Sequence, residues 1–226
     1  MKLFRTTFFT FIALVFLSCQ TKAKDTSQNP GEPILQDQKI SEAELQQYET
    51  AYFASGCFWC VEAIFESVKG VKEAVSGYAG GTEENPTYEQ VSYGRTTHAE
   101  AVEVYYDPEK VSFFELVQVF YGSHDPTTLN RQGPDRGAQY RSIAFYKNEE
   151  ERKIIEAYQK ALDEKGVYGR PIVTEIKPFT TFWKAEEYHQ DYERRHPNDS
   201  YIRNVSIPRL NRFKENFPKF LKPESH

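Results

Sequence analysis

Between positions 49 and 146 the period of apolar residues changes several times, and each change marks an element. Glu49–Ala54 reads as a short strand running into Ser55-Gly56. Val61, Ile64, Phe65 and Val68 then recur at helical spacing, which predicts a helix opening near Cys57 and ending at Gly70. Val71–Gly77 is a second strand. Gly77-Tyr78-Ala79-Gly80-Gly81 and Asn85-Pro86-Thr87-Tyr88 follow as a long loop with strong turn signals. Ala99–Tyr106 alternates cleanly, with Glu100, Val102 and Val104 on one face and Ala101, Glu103 and Tyr105 on the other.

Asp107-Pro108 ends that strand, and Ser112 with Glu115 forms a capping box for a helix through Tyr121. His124-Asp125-Pro126 opens a second long loop that reaches Gln139, and Tyr140–Tyr146 is another strand. Asn148 and Glu151 cap a helix whose Ile154, Ile155, Tyr158, Ala161 and Leu162 face the core. Ile172–Ile176 is the last predicted strand and Trp183–Arg195 the last predicted helix. Beyond Pro197 the prolines at 208, 218 and 223 predict coil wrapped on the surface. Strands and helices intermix, with crossovers too irregular for a doubly wound sheet. The expected fold is an α+β two-layer sandwich with long functional loops.

The N-terminus changes the picture of where this domain works. Lys2 and Arg5 precede an apolar stretch from Phe8 to Leu17 that ends in Leu17-Ser18-Cys19, the layout of a secretory signal. The stretch is short for a membrane-spanning helix of about 20 residues. A cysteine directly after a small residue resembles a bacterial lipobox, which implies cleavage after residue 18 and a lipid on Cys19. Gln20 to Gln47 carries no aromatic residue and is rich in Lys, Gln, Asp, Glu, Thr and Pro, so it cannot bury enough apolar surface to order itself. The organisation expected is a signal peptide over 1–18, a polar tether over 19–47 and one domain over 48–226. As a flexible chain the tether spans roughly 30 Å. That arrangement places the domain at the bacterial cell envelope, exported and lipid-anchored on the periplasmic face.

Net charge is −5 over 226 residues, which disfavours nucleic-acid binding. The one Met is the initiator, so a processed chain offers oxidants no methionine.

Candidate chemistry centres on Gly56-Cys57-Phe58-Trp59-Cys60, which holds every cysteine except Cys19. A disulfide between them would close too short a loop to stabilise the fold much, so the pair is functional. At a helix N-terminus Cys57 is expected to have a lowered pKa and to act as nucleophile, with Cys60 as the resolving thiol. Haem attachment requires a His where Val61 stands. Zinc requires further ligands, and His98, His124, His189 and His196 are scattered. A thioredoxin-like oxidoreductase is the alternative, although Phe58 and Trp59 would shield the thiols from a large disulfide substrate and better suit an apolar pocket for a methyl group. Glu100 shares a strand face with Val102 and Val104. Pointing inward it would stay protonated near neutrality and serve as a general acid; pointing to the rim it would pair with a Lys or Arg.

Six ordered motifs settle on one family. Gly56-Cys57-Phe58-Trp59, Gly77-Tyr78-Ala79-Gly80-Gly81, Asn85-Pro86-Thr87-Tyr88, His98-Ala99-Glu100-Ala101-Val102, His124-Asp125-Pro126 and Gly137-Ala138-Gln139-Tyr140-Arg141-Ser142 together resemble an A-type peptide methionine sulfoxide reductase over about residues 50–197. The resemblance implies a ferredoxin-like core with much wrapped coil, reduction of the S epimer of methionine sulfoxide in proteins or as the free amino acid, and no metal or prosthetic group. It implies Cys57 as the nucleophile on the sulfoxide sulfur, Phe58 and Trp59 as the rings around the substrate methyl, and Glu100 as proton donor to the sulfoxide oxygen. Tyr88 and Tyr140 would hydrogen-bond that oxygen, with Asp135 in the same polar network. His98 and His124 are left as structural loop residues. A thioredoxin-like dithiol would serve as reductant to a protein expected to be monomeric. Many members carry Gly at the position of Cys60 and keep a resolving cysteine in a Gly-rich C-terminal tail. Here the tail has no cysteine, and Cys60 is the internal resolver available.

Overall fold

The computed structural model describes residues 40–223, so the signal segment, Cys19 and most of the tether lie outside the described residues. The first element, α1 (Glu42–Leu45), falls inside the stretch expected to be tether. Ser41 and Glu44 cap it reciprocally, and Leu45 is buried. Then follow β1 (Glu49–Ser55), α2 (Phe58–Glu66), β2 (Val71–Ala79), α3 (Tyr88–Ser92), β3 (Ala99–Tyr106) and α4 (Phe113–Gly122). A small hairpin of β4 (Arg131–Gln132) and β5 (Asp135–Arg136) precedes β6 (Ser142–Tyr146), α5 (Glu149–Glu164), β7 (Glu175–Pro178) and β8 (Phe182–Lys184). The chain closes with α6 (Tyr192–Arg195) and α7 (Ile207–Asn216).

Six strands form one mixed sheet in the order β7-β6-β1-β3-β2-β8, antiparallel except for the parallel β6–β7 pair. One face carries the larger core. Phe53 stacks against Phe65 of α2 and Phe120 of α4, each at 5.1 Å between ring centroids. Val102, Val104, Ile64 and Leu116 fill in around them without exposure. Each large side chain so buried contributes about 1.5–3 kcal/mol. The other face is built from small residues, Ala54, Ala79, Ala99 and Ala101. It is covered by Phe182 and by Phe179, whose ring stacks on Tyr52 at 3.6 Å. The α+β sandwich expected from the pattern is the fold observed.

Four stretches differ from the sequence expectation. Trp183–Arg195 is not one continuous helix: Phe182–Lys184 pairs with the open edge of β2 as β8, and after a 3₁₀ turn at Glu187–His189 the left-handed Asp191, at φ 56°, leaves only the short α6 as α-helix. Gly77 permits this pairing, since a Cβ there would lie 2.4 Å from the Trp183 carbonyl oxygen. The segment after Pro197 is not coil: a π turn (Ile202–Ser206) leads into α7, which packs on α2. Pro208 sits in the first turn of α7, where a missing N–H is tolerated. The last strand on the parallel edge is β7 at Glu175–Pro178, later than Ile172–Ile176, while Ile172 is buried with the main core. Tyr140 belongs to a 3₁₀ turn (Ala138–Tyr140) ahead of β6.

Candidate active site

The β1-to-α2 turn presents the cysteine pair. Gly56 holds φ at 95°, and a Cβ at this position would approach Gln132 to 2.7 Å, so only glycine fits. Cys57 is the N-cap of α2 and makes no side-chain cap hydrogen bond. Cys60 follows on the first turn. Both are free thiols, both are buried, and each shifts the proton affinity of the other.

Glu100 on β3 faces these sulfurs from the sheet. It is 1% exposed and points inward with Val102 and Val104, away from the rim. The backbone N–H of Phe58, an otherwise unpaired donor at the start of α2, donates to Glu100 Oε2 at 3.0 Å. That bond favours the carboxylate, but burial outweighs it and raises the pKa to about 8, assisted by the negative fields of Asp135 and Cys60. At neutral pH Glu100 therefore carries a proton.

Aromatic rings line the approach. Phe58 lies 6.3 Å from Tyr88 and 5.0 Å from His189 between centroids. Trp59 stacks on Tyr192 at 3.8 Å, and its indole N–H donates to His189 Nδ1 at 3.2 Å. Burial holds His189 neutral, and its Nε2 has no hydrogen-bond partner among the described residues. Tyr88 and Tyr140 are half-buried, and both feel the field of Glu100. Desolvation raises both phenols, Tyr88 to about 12, and the fields of Glu100 and Cys57 add to it. Both are firm proton-bearing donors. Asp135 on β5 accepts from the Tyr201 hydroxyl at 2.6 Å, and the same hydroxyl lies 3.8 Å from Cys60 Sγ.

The proton affinities of the two thiols differ from the helix-end expectation. Burial pushes Cys57 well up, reinforced by its hydrogen bond to Cys60 and by the charges of Cys60 and Glu100. Cys60 is pulled down by the hydrogen bond from Cys57 against its own burial, with help from Arg209, Ser206 and Tyr201. The helix N-terminus does not overcome desolvation at Cys57. The two thiols thus lean opposite ways, Cys57 toward holding its proton and Cys60 toward giving it up.

The structure thus gathers Cys57, Phe58, Trp59, Cys60, Tyr88, Glu100, Asp135 and Tyr140 at one place, while Cys19 lies outside the described residues. Reading the sequence missed Tyr201, His189, Tyr192 and Arg209. A signal for Arg209 exists, because Ile202, Ser206, Arg209 and Phe213 are buried at helical spacing. His98 and His124 are structural: His98 bridges Gly81 N–H and the Glu83 carbonyl, and His124 bridges the Phe120 carbonyl and Ser142 Oγ. Behind Trp59, the Glu62, Glu66 and Asp191 carboxyl oxygens cluster. Burial raises both glutamates, Glu62 to about 8, which makes this a proton-holding cluster and a poor cation site.

A buried dithiol with a split proton affinity, a protonated acid and an aromatic mouth define a thiol-dependent oxidoreductase. Residues 49–221 match the family model "Peptide methionine sulfoxide reductase". The chain is 53% identical over 169 residues to peptide methionine sulfoxide reductase MsrA 1 of Rhodopirellula baltica, covering 75% of this chain and 87% of that protein. It is 50% identical over 173 residues to MsrA of Haloquadratum walsbyi, covering 76% and 98%. Among solved structures, methionine sulfoxide reductase A of Corynebacterium diphtheriae superposes with a TM-score of 0.60 at 40% identity, covering 67% of this chain and 76% of that one. Mxr1 of Saccharomyces cerevisiae in reduced form does so with a TM-score of 0.62 at 34% identity, covering 71% and 91%. The chain belongs to the A-type peptide methionine sulfoxide reductase family. It is an oxidoreductase that reduces methionine sulfoxide by thiol chemistry and so repairs oxidised protein.

Proposed function

We propose that the chain reduces methionine S-sulfoxide through Cys57, Glu100 and Cys60 in named roles. The substrate methyl group rests against Phe58 and Trp59. The sulfoxide oxygen accepts hydrogen bonds from Tyr88 and Tyr140 and takes the proton of Glu100. As Cys57 attacks the sulfoxide sulfur, its own proton passes to the neighbouring Cys60. Oxygen transfers to Cys57 with that proton from Glu100, giving a sulfenic acid and releasing the thioether. Two phenols and a neutral carboxyl relieve charge on a poor leaving oxygen, which is where donors act most strongly in a dry site. Cys60, having returned its proton to solvent, condenses with the sulfenic acid to a disulfide. A thioredoxin-like dithiol reduces that disulfide and no prosthetic group takes part.

The observation that carries this reading is Glu100: buried, held by the Phe58 N–H and facing the dithiol, it is a proton donor that simple disulfide exchange does not need. Mass spectrometry of the purified full chain after one turnover with a methionine S-sulfoxide peptide tests it. A Cys57–Cys60 disulfide is expected, with Cys57→Ser inactive and Cys60→Ser limited to one turnover with thioredoxin. Normal thioredoxin-supported cycling of Cys60→Ser would refute the resolver role.

The site of action belongs to the same proposal. Signal cleavage after residue 18, a lipid on Cys19 and a polar tether would hold a monomeric repair enzyme at the envelope surface, facing oxidised exported proteins. Labelling with a fatty-acid analogue should mark the chain and fail on Cys19→Ala; equal labelling of both would end the anchoring proposal.

A further inference from the structure

A guanidinium taken out of water is destabilising unless an anion meets it. Arg209 on α7 is 7% exposed. Its hydrogen bonds go to neutral oxygens: Nε donates to the Ser123 carbonyl at 2.9 Å, and Nη2 to the Ser55 carbonyl at 3.0 Å and Ser55 Oγ at 3.3 Å. Among the described residues no carboxylate forms an ion pair with it. Its third nitrogen, Nη1, looks toward the β1-to-α2 turn and would stand 3.4 Å from a Cβ on Gly56. With Cys60, Asp135 and Tyr201 the side chain also lines a cavity of about 360 Å³. A buried cation with no carboxylate in ion-pair contact therefore lines the same cavity as Cys60, with Asp135 the acidic group near enough to feel its charge.

We propose that Arg209 is a positioning residue for the resolving step, its guanidinium serving as counter-charge to the Cys60 thiolate so that the negative charge of the sulfur pair rests on Cys60. This rests on the reading of Cys60 as resolver. The groups facing Cys60 come from every element around it: Cys57 and Cys60 itself on α2, Tyr201 and Ser206 on the segment before α7, Arg209 on α7, Asp135 on β5 and Glu100 on β3. Hydroxyls of Tyr201 and Ser206 can donate to a thiolate, and Glu100 is neutral near pH 7. Asp135 is the acid of the set: burial pushes its pKa up, while the Tyr201 hydrogen bond and the Arg209 charge pull it down. Arg209 is the one cation in the set.

The chemistry uses that placement twice. After oxygen transfer the Cys57 sulfur bears a hydroxyl. The Cys60 thiolate attacks that sulfur, the S–S bond forms, the S–O bond breaks, and oxygen leaves as hydroxide that solvent protonates to water. The two cysteines together give up the two electrons that the sulfoxide gained. In the reductive half, a thiolate of the external dithiol attacks Cys57 and expels Cys60. A leaving sulfur of lower proton affinity departs faster, so the same cation assists disulfide formation and cleavage.

The test is a thiolate titration by absorbance at 240 nm on the full chain carrying Cys19→Ser and Cys57→Ser, where Cys60 is the sole thiol and the serine keeps a donor beside it. With Arg209 present the midpoint should lie below the ordinary cysteine value of about 8.5. Arg209→Met should leave at least tenfold less thiolate at a fixed pH, and Arg209→Lys should restore most of it. An unchanged midpoint in folded Arg209→Met overturns the proposal. A parent midpoint at or above about 8.5 overturns it whether or not the Met variant folds. The titration is independent of turnover, so failure of Cys60 as resolver would show in the disulfide assay while leaving this result standing.

Discussion

Replacing Glu100 by Gln should make the protein more stable and much less active, and the two effects should depend on pH in a linked way. The carboxyl is fully buried and its pKa rises from 4.5 to about 8 on folding. Each tenfold change in proton affinity corresponds to about 1.4 kcal/mol. Below pH 4.5 both folded and unfolded chains hold the proton, and the group adds no pH dependence. From 4.5 to about 8 the unfolded chain releases it while the folded chain keeps it, so wild-type stability falls as pH rises and levels off above 8. The total is on the order of 5 kcal/mol, with roughly 3 kcal/mol already lost at pH 7. Glutamine is neutral throughout and its carbonyl can still accept from Phe58 N–H. Urea melts at pH 5 and pH 8 should therefore show the variant gaining on wild type as pH rises. The comparison must be a difference between the two proteins, because burial also raises Glu62. The chemical step, followed as methionine released in a single turnover, should fall by roughly 10²–10⁴ in Glu100→Gln, the usual loss with a proton donor. In wild type it should decline above about pH 8 as Glu100 ionises. Parallel stability curves for the two proteins, or a single-turnover rate that holds to pH 9.5, would refute the assignment of a buried neutral acid.

Other outcomes follow from the same geometry. Gly56→Ala forces a Cβ into a left-handed residue and against Gln132, which should destabilise by about 1–3 kcal/mol and lower kcat by misaligning Cys57, read by urea melts and steady-state rates. Trp59→Phe removes the bond to His189 Nδ1 and part of the Tyr192 stack; KM for a sulfoxide peptide should rise roughly tenfold, the equivalent of about 1.4 kcal/mol, with kcat little changed. Ser112→Ala breaks the reciprocal cap of α4, far from the thiols, and should cost about 1 kcal/mol in urea melts while activity at 25 °C stays at the wild-type level.

Local rules carried the expectation a long way at β3, α2, α4 and α5, because each has a clean period and α4 and α5 also have recognisable caps. Asn148 accepts from the Glu151 N–H as its spacing implies, and the face that Glu100 shares with Val102 and Val104 is the helical face of the sheet. Expectation failed where tertiary partners decide. Trp183 becomes a strand because β2 has an open edge that Gly77 lets it approach, and no property of residues 183–195 alone reports that edge. The short helix α3 was legible in principle, since Thr87 and Gln90 form a capping box, but five residues give no period. The C-terminal helix was hidden by reading Pro208 as a breaker although it occupies a first turn. In the site, motif positions pointed to residues that the structure brings together around the cysteine pair. The thiol energetics were not legible, because a helix end and a buried environment push Cys57 in opposite directions and only the degree of burial decides between them.

The two sulfurs occupy a single helical turn, and α7 is fastened behind that turn by Arg209 and Phe213. Closing the disulfide joins residues that are already neighbours, so almost no chain entropy is spent in the step. A Cys57–Cys60 disulfide would therefore store the redox state as one bond within the opening turn of α2. Both sulfurs are buried, so a reductant could touch that bond only after the side chains around it give way.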